Sequence, residues 1–269
     1  EEMDMGTIRD RLWIWGHEAG SHNDSWNLSG TSRMTPLEGA AYLGIPNLIM
    51  VGYRELPRAP FDQYAIPFRP LQQVVWSIVG ASGATEAAER AEVVRLAAKE
   101  PNITGVMMDD FFHEADAVGE VGVLSVQDLE GVRRQLAEVG RPLDLWVVLY
   151  NHHLHLPVAD HLARCDVVSF WTWEAPDLEE LEANLARVED LAPHSRRVLG
   201  CYLWDYGRKQ AMPVEVMKRQ CETGLAWLRD GRIDGLIFLA SCICDLELET
   251  VEWARRWIGE VADELLPTS

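Results

Sequence analysis

The chain has 269 residues and is strongly acidic, with 43 Asp and Glu against 24 Lys and Arg and a formal net charge of −19. This balance argues against nucleic acid as a partner, because phosphate binding depends on clustered Lys and Arg. Hydrophobic residues make up 48% of the chain, which is ample for a large core, and no apolar run approaches the roughly 20 residues of a membrane span.

Strand-like apolar runs follow one another along the chain, and most are separated by segments with helical periodicity. The predicted strands cover residues 11–17, 47–53, 71–80, 103–112, 143–151, 166–174, 196–207 and 234–244. The predicted helices cover residues 36–44, 84–100, 125–140, 159–165, 175–190, 212–231 and 246–266. The connection 54–70 is the exception. It holds four prolines and is predicted as an irregular loop that either contacts substrate or crosses the surface.

This alternation of eight strands with helices predicts a single (β/α)8 TIM barrel that spans residues 1–269 as one domain. An open doubly wound sheet is the competing fold. It would usually carry a glycine-rich phosphate-binding loop after the first strand, and segment 16–30, GHEAGSHNDSWNLSG, lacks that pattern. In a barrel, the carboxyl ends of the strands gather on one face, and that face is where ligands bind.

The alternation of side chains along each strand predicts which residues face the barrel interior. One set in each strand is small and aliphatic and suits packing against the helices, whereas the other contains Gly, Ser, aromatic residues and His. In the fourth strand, GVMMDDFF, this second set comprises Gly105, Met107 and Asp109. We therefore expect Asp109 to point into the pocket and Asp110 to lie on its rim or to turn back toward the pocket from the loop.

Several carboxylates fall at the predicted carboxyl ends of strands, namely Glu18, Asp109, Asp110, Glu174, Asp205 and Asp245. Cleavage of a glycosidic bond needs two carboxylates, an acid with a raised pKa and a nucleophile or base on the other side of the sugar ring. Asp109 and Asp110 are adjacent and flank a ring poorly, so we predict a catalytic partner from another strand. Asp205 and Glu174 are the candidates, although Glu174 equally suits the capping of the following helix.

Aromatic side chains cluster in the second halves of the same strands, Tyr53 and Trp76 among them. Pyranose rings stack their C–H faces on such side chains, whose polar edges also form hydrogen bonds with hydroxyls. Any single Trp would equally well fill the core, but the clustering at one end favours a binding platform. The predicted substrate-binding residues are Trp15, His17, Glu18, Tyr150, His152, Trp171, Trp173, Tyr202, Trp204 and Tyr206.

Most histidines also fall at predicted strand ends or just beyond them, namely His17, His22, His113, His152, His153 and His155. A metal site that joins some of them to Asp109 or Asp205 is the alternative to direct hydrogen bonding of substrate. The first strand, however, lacks the HxH pair of metal-dependent amidohydrolase barrels, and no cysteine pair has CxxC spacing. We therefore expect no cofactor, with a divalent metal as the alternative.

The motif GVMMDDFF resembles the fourth-strand motif of barrel glycoside hydrolases, in which a strand ends in Asp-Asp-aromatic-aromatic. It is also distantly similar to the chitinase-type fourth strand, Gly-x-Asp-x-Asp-x-Glu. Aligned on Gly105, only Asp109 matches that pattern, since Met107 replaces the first Asp and Phe111 stands where the catalytic Glu would be. The resemblance implies a carbohydrate-active barrel with Asp109 and Asp110 in its pocket, without the chitinase acid.

The sequence thus predicts a hydrolase that cleaves a glycosidic bond of a small-molecule or oligosaccharide substrate by carboxylate catalysis. A metal-dependent sugar isomerase, epimerase or hydrolase is one alternative, and a non-catalytic carbohydrate-binding barrel is another. We expect no membrane partner. The odd number of cysteines, five, favours a reducing compartment. The first residues, EEMDMG, show no signal peptide, so we expect a cytoplasmic protein, with a processed secreted or periplasmic form as the alternative.

Overall fold

The computed structural model describes residues 6–117 and 119–266, and these form a closed barrel of eight parallel strands paired in chain order. The predicted domain also includes residues 1–5, 118 and 267–269, which lie outside the described residues. The strands are β1 Leu12–Gly16, β2 Asn47–Met50, β3 Gln73–Val79, β4 Ile103–Met108, β5 Asp144–Tyr150, β6 Val167–Trp171, β7 Arg196–Tyr202 and β8 Gly235–Leu239. The predicted (β/α)8 barrel is confirmed.

Helices connect the strands around the outside of the barrel. They are α1 Pro36–Leu43, α2 Asp62–Ala65, α3 Ala87–Lys99, α4 Val126–Ala137, α5 Ala159–Leu162, α6 Leu181–Leu191, α7 Val214–Arg229 and α8 Glu249–Val261. The connection 54–70, predicted to be irregular, contains α2 and a short 3-10 helix, Ile66–Phe68. Within the described part of the chain, none of the helices is both long and apolar enough to cross a membrane.

Local signals in the sequence start and stop these helices. Thr35 and Glu38 form a capping box before α1, and Ser125 and Asp128 form another before α4. Helix α1 ends at Gly44, whose φ of 70° is left-handed. These caps satisfy backbone groups that the first and last turns leave without a partner.

Large aromatic side chains fill the barrel interior, as the strand alternation predicts. Trp13 and Trp146 pack edge to face with ring centroids 5.0 Å apart, and Trp15 and Trp171 do the same at 5.3 Å. The Trp171 ring lies over Gly200, where a Cβ atom would come within 2.0 Å of it. Glycine at position 200 therefore makes room for an indole directly below the mouth of the barrel.

Backbone strain is confined to one end of the barrel. Nine described residues other than glycine have left-handed φ angles, and each of them lies in a loop that follows the carboxyl end of a strand. These residues are Asp24, Trp26, Asn27, Arg54, Glu55, Ser82, Asp110, Lys209 and Glu247. In the loops at the opposite end, the left-handed positions are glycines, Gly44, Gly140 and Gly231. Strain of about 1–3 kcal/mol per residue clusters at functional sites, which singles out the carboxyl-end face.

Candidate active site

A small cavity of about 80 Å³, open to solvent, lies at the carboxyl-end face of the barrel. Its lining is aromatic and polar, and Asp109 and Asp110 are the carboxylate residues among the lining side chains. The lining residues are Trp15, His17, His22, Trp26, Tyr53, Ala81, Asp109, Asp110, Tyr150, Trp173, Tyr202, Tyr206 and Leu239.

Asp109 follows β4 directly and its side chain is buried at the floor of the cavity. Burial raises the pKa of this carboxyl well above its ordinary value, and the negative charge of Asp110 raises it further. The N–H of Asp110, which donates to Oδ1 of Asp109 at 2.9 Å, acts in the opposite direction. The balance favours the protonated acid, which is the form that a proton donor needs.

Hydrogen bonds from the carboxyl ends of the two neighbouring strands hold the side chain of Asp110 in place. Its φ of 43° is left-handed, and this turns its carboxylate toward the loops that follow β3 and β5. The Tyr150 hydroxyl donates to Oδ1 at 2.7 Å, and the Ser82 N–H donates to Oδ2 at 2.7 Å. Because both oxygens accept hydrogen bonds, the arrangement fits a carboxylate.

Three tyrosines of the cavity wall keep their protons. Burial raises the pKa of Tyr150, Tyr202 and Tyr206 well above the ordinary value. The charges of Asp109 and Asp110 add to this effect for Tyr150 and Tyr202. These phenols therefore act as hydrogen-bond donors and not as phenolate nucleophiles.

His17 is held as one neutral tautomer beside the cavity floor. The Trp15 indole, which can only donate, gives a hydrogen bond to Nε2 of His17 at 3.2 Å, so Nε2 carries no proton. Its Nδ1 lies 3.1 Å from the Val51 carbonyl, to which it must donate. Burial lowers the pKa of His17 to about 4, in keeping with this neutral form.

His22 is a second neutral histidine in the cavity wall. Its Nδ1 lies 3.1 Å from the hydroxyl of Tyr206, and its ring packs against those of His17 and Tyr53. Burial, with smaller contributions from His17 and Arg54, lowers the pKa of His22 to about 2. These two histidines shape the wall and are poorly suited to accept a proton near neutral pH.

Two of the predicted substrate-binding tryptophans lie behind the cavity wall. Trp171 is buried below the floor, against Trp15 and with its ring centroid 4.9 Å from that of Tyr202. Trp204 is buried in the loop after β7, and its indole donates to the carbonyl of Trp26 at 3.0 Å. Both support residues that do line the cavity.

Asp205 and Glu174, the predicted partners of Asp109, are absent from the described lining of the cavity. Asp205 is fully buried in the loop after β7, where its Oδ1 accepts from the Arg208 N–H at 3.1 Å and its Oδ2 has no partner among the described residues. Glu174 precedes a 3-10 helix, Ala175–Glu180, and its side chain packs against Gly207. Both lie three residues beyond the end of a strand.

Glu18 and His152 also lie outside the cavity lining. Oε1 of Glu18 is 3.4 Å from the Tyr64 hydroxyl, and its buried Oε2 has no partner in the described ranges. His152 is exposed and stacks on Tyr150 with ring centroids 5.2 Å apart and ring planes 7° apart. His152 therefore covers the outer side of a phenol that faces the cavity.

Trp26 and Ser82 belong to the site but were not among the predicted site residues. Trp26 lies in the long loop after β1, in the run SHNDSWNLSG. A single Trp in so polar a loop is the sequence signal that indicates this residue. Ser82 contributes a backbone N–H, which no side-chain pattern reveals. In contrast, Trp76 packs against Phe61 and Phe68 on the outside of the barrel and does not line the cavity.

The histidines do not gather around a common centre with the carboxylates. Within residues 6–117 and 119–266, there is no group of three or more His, Cys, Asp or Glu side chains placed to hold a metal ion. All five cysteines are buried and free.

Comparisons with known proteins reveal similarity in structure only. No family model matches the sequence, and no curated protein matches it significantly. The xylanase–α-amylase inhibitor protein XAIP-I, solved in complex with trehalose, gives a TM-score of 0.59 at 12% identity over 96% of this chain and 99% of that chain. The PgaB (BpsB) glycoside hydrolase domain from Bordetella bronchiseptica gives a TM-score of 0.54 at 10% identity over 96% and 99% of the two chains.

A third structure, the β-D-glucuronidase from Dictyoglomus thermophilum, gives a TM-score of 0.54 at 7% identity over 86% of this chain and 47% of that chain. At such identities the likeness shows the fold alone. The chain thus shares its barrel fold with these three proteins.

Proposed function

We propose that this protein hydrolyses glycosidic bonds, with Asp109 as the proton donor. The observation that carries the proposal is a buried carboxyl with a raised pKa beside a second, hydrogen-bonded carboxylate in an aromatic cavity. Pairs of carboxyl groups whose surroundings separate their pKa values are typical of acid catalysis on sugars.

In the proposed reaction, Asp109 gives its proton to the glycosidic oxygen as the bond to the anomeric carbon breaks. The carboxylate of Asp110 stabilises the positive charge that develops on the sugar ring. Water then adds its hydroxyl to the anomeric carbon, and its proton returns to the carboxylates of the site. Asp109 and Asp110 follow one strand and approach the sugar from one side, so the water enters where the leaving group departs and its proton reaches Asp109.

The walls of the cavity suit a sugar. Trp173, Tyr202 and Tyr206 supply apolar ring faces, and the protonated phenols supply hydrogen-bond donors for hydroxyl groups. The fold is shared with a glycoside hydrolase domain, a glucuronidase and a protein crystallised with trehalose. These likenesses support the proposal at the level of the barrel.

The test compares the wild-type protein with the Asp109→Asn variant on a panel of aryl glycosides and natural oligosaccharides. General acid catalysis contributes about 10²–10⁴-fold to a rate, and we expect a loss of that size when the acid is removed. The exposed Asp230→Asn variant is the matched control and should keep full activity. Hydrolysis that survives in Asp109→Asn would contradict the proposal.

A non-catalytic carbohydrate-binding barrel is the second candidate. It is favoured by the finding that, of the four predicted catalytic carboxylates, only the adjacent pair Asp109 and Asp110 lines the cavity. This candidate predicts that oligosaccharides bind to the wild-type protein while no reducing end is released on long incubation. Product formation that depends on Asp109 would exclude it.

A further inference from the structure

Two basic side chains stand over aromatic rings that line the cavity, and of the two cations Arg54 itself lines a neighbouring cavity with Gly52 and Leu56. The guanidinium carbon of Arg54 lies 5.2 Å from the ring centroid of Tyr53, and the Nζ atom of Lys209 lies 5.9 Å from the Trp26 ring. Tyr53 and Trp26 both line the cavity, and the Trp26 indole donates to the Tyr53 hydroxyl at 3.2 Å. We call these four residues the basic rim.

Hydrogen bonds between three different loops hold the basic rim together. The Trp204 indole donates to the carbonyl of Trp26, and the side-chain amide of Asn27 donates to the carbonyl of Lys209 at 3.3 Å. Trp26, Arg54 and Lys209 all have left-handed backbones, with φ angles of 59°, 51° and 52°. Left-handed positions for such large side chains persist only where the surroundings require them.

Neither cation of the basic rim is paired with a carboxylate in the part of the chain that the structure describes. Arg54 and Lys209 form no ion pair with the described carboxylates, and the neighbouring Glu55 pairs instead with Arg58 at 3.3 Å. In a chain with a net charge of −19, this is a local reversal of sign at the mouth of the cavity. The charge of Arg54 also reaches the interior, since it helps to lower the pKa of His22.

Trp26 and Lys209 follow strands across the barrel from the aspartates, whereas Tyr53 and Arg54 follow β2, two strands away from β4. Asp109 and Asp110 follow β4, whereas the rim residues belong to the loops after β1, β2 and β7. In a barrel with strands in chain order, β8 lies opposite β4, between β7 and β1. A substrate that reaches from the aspartates to Trp26 and Lys209 therefore spans the cavity.

We propose that the basic rim is a subsite for a sugar unit that carries an anionic group, a carboxylate or a sulfate ester. This inference rests on the proposed glycosidase function and names the class of its substrate. Tyr53 and Trp26 would contact the ring of that unit, while Arg54 and Lys209 donate charge-assisted hydrogen bonds to its anionic group.

The test measures binding to the Asp109→Asn variant, in which turnover does not interfere. The ligands are two matched pairs, a glucuronate-terminated oligosaccharide with its glucose-terminated counterpart and a sulfated lactose with lactose. We expect the anionic member of at least one pair to bind more tightly, with the difference shrinking as salt screens the exposed cations. The pair that shows the difference distinguishes carboxylate from sulfate.

Charge variants then locate the effect. Arg54→Gln with Lys209→Gln should weaken binding of the anionic member by about tenfold or more and leave the neutral member within about twofold. Lys218→Gln with Arg219→Gln, on the exposed face of α7, removes the same charge elsewhere and should change neither. Equal binding of both members in each pair, or binding of neither, overturns the inference.

These outcomes separate the inference from the proposed function. Neutral glycosides hydrolysed in an Asp109-dependent manner, with no preference for anionic sugars, would leave the proposed function standing and remove the subsite. Anionic sugars bound through Arg54 and Lys209, with no product from the wild-type protein, would leave the subsite standing and remove the glycosidase.

Discussion

The hydroxyl of Tyr150, at the end of β5, donates a hydrogen bond of 2.7 Å to Oδ1 of Asp110, which follows β4. This contact and the Ser82 N–H fix both oxygens of a carboxylate whose backbone is in the left-handed region. Asp110 thus has one orientation, set by the strands on either side of it. The charge of Asp110 is one of the causes that raise the pKa of the neighbouring Asp109.

Replacing Tyr150 with Phe should reduce kcat without unfolding the protein, because it removes the donor to Oδ1 and retains the ring. A hydrogen bond to a charged group contributes about 1.5–3 kcal/mol, so we expect a loss of about 10- to 100-fold. Tyr42→Phe is the matched control, since it removes a tyrosine–carboxylate contact with Glu252 away from the site. Equal kinetics of the two variants would contradict the role of Tyr150.

Replacing Asp110 with Asn should lower the pKa of Asp109, because the charge of Asp110 is one of the causes that raise it. The alkaline limb of the residual activity, and the pH at which the Asp109 carboxylic acid band disappears from the infrared spectrum, should both move to lower pH. Glu114→Gln, which removes an exposed charge from the same loop, is the control and should leave the band in place. An upward shift in Asp110→Asn would refute the coupling.

The Asp109→Asn variant should be more stable than the wild-type protein at neutral pH. The unfolded chain releases the Asp109 proton near 3.8, whereas the folded protein holds it to a higher pH. The folded state therefore binds more protons across that interval, and the wild-type protein loses stability as pH rises through it. Asn retains the acceptor for the Asp110 N–H and has no charge to bury.

We expect a gain of about 0.5–2 kcal/mol for Asp109→Asn at pH 7, a typical trade between stability and activity at a functional site. Denaturant unfolding at several pH values measures it, and the gain should disappear below the ordinary pKa of an aspartate. The exposed Asp230→Asn change is the reference. A gain that did not depend on pH would point to a cause other than the buried charge.

Trp173→Ala should weaken the binding of neutral oligosaccharides, because Trp173 presents its ring to the cavity beside Tyr150 and Tyr202. A ring contact contributes about 0.5–1.5 kcal/mol, which corresponds to an increase in Kd of up to about tenfold. Titration of the Asp109→Asn protein with and without the change measures the effect. Trp253→Ala, on α8 outside the barrel, should leave the Kd unchanged.

The alternation of side chains along each strand predicted which residues face the barrel interior, as far as the hydrogen-bonded pairing of the strands extends. It assigned the set of Gly, Ser, aromatic residues and His to the interior, and the structure packs Trp15, Trp171 and Gly200 together below the mouth. Hydrophobic runs of regular length also sufficed to predict eight strands. This part of the fold can be predicted from local sequence, because each strand is buried on both faces and its apolar composition indicates that burial.

The same alternation does not extend past the last paired residue of a strand. β7 ends at Tyr202, so the chain turns before Trp204 and Asp205, and their side chains no longer follow the pleat. Asp109 comes only one residue after β4, and there the prediction that it points into the pocket agrees with its place in the cavity lining. Contributions such as the Ser82 N–H depend on loop conformation, which hydrophobic patterns do not encode.

Gly200→Ala should destabilise the barrel, because the added Cβ atom would lie 2.0 Å from the buried Trp171 ring. Overpacking a core typically costs about 1–3 kcal/mol, and here the indole is confined by Trp15 and Tyr202, so we expect the upper end of that range. Gly259→Ala, in α8 with no atom within 4 Å of the new methyl group, is the matched control. Removing a helical glycine should stabilise the protein by about 0.5–1 kcal/mol. Chemical denaturation of both variants tests whether Gly200→Ala lowers the free energy of unfolding while Gly259→Ala raises it. A Gly200→Ala protein as stable as the wild type, with an unchanged tryptophan spectrum, would contradict the tight packing around Trp171.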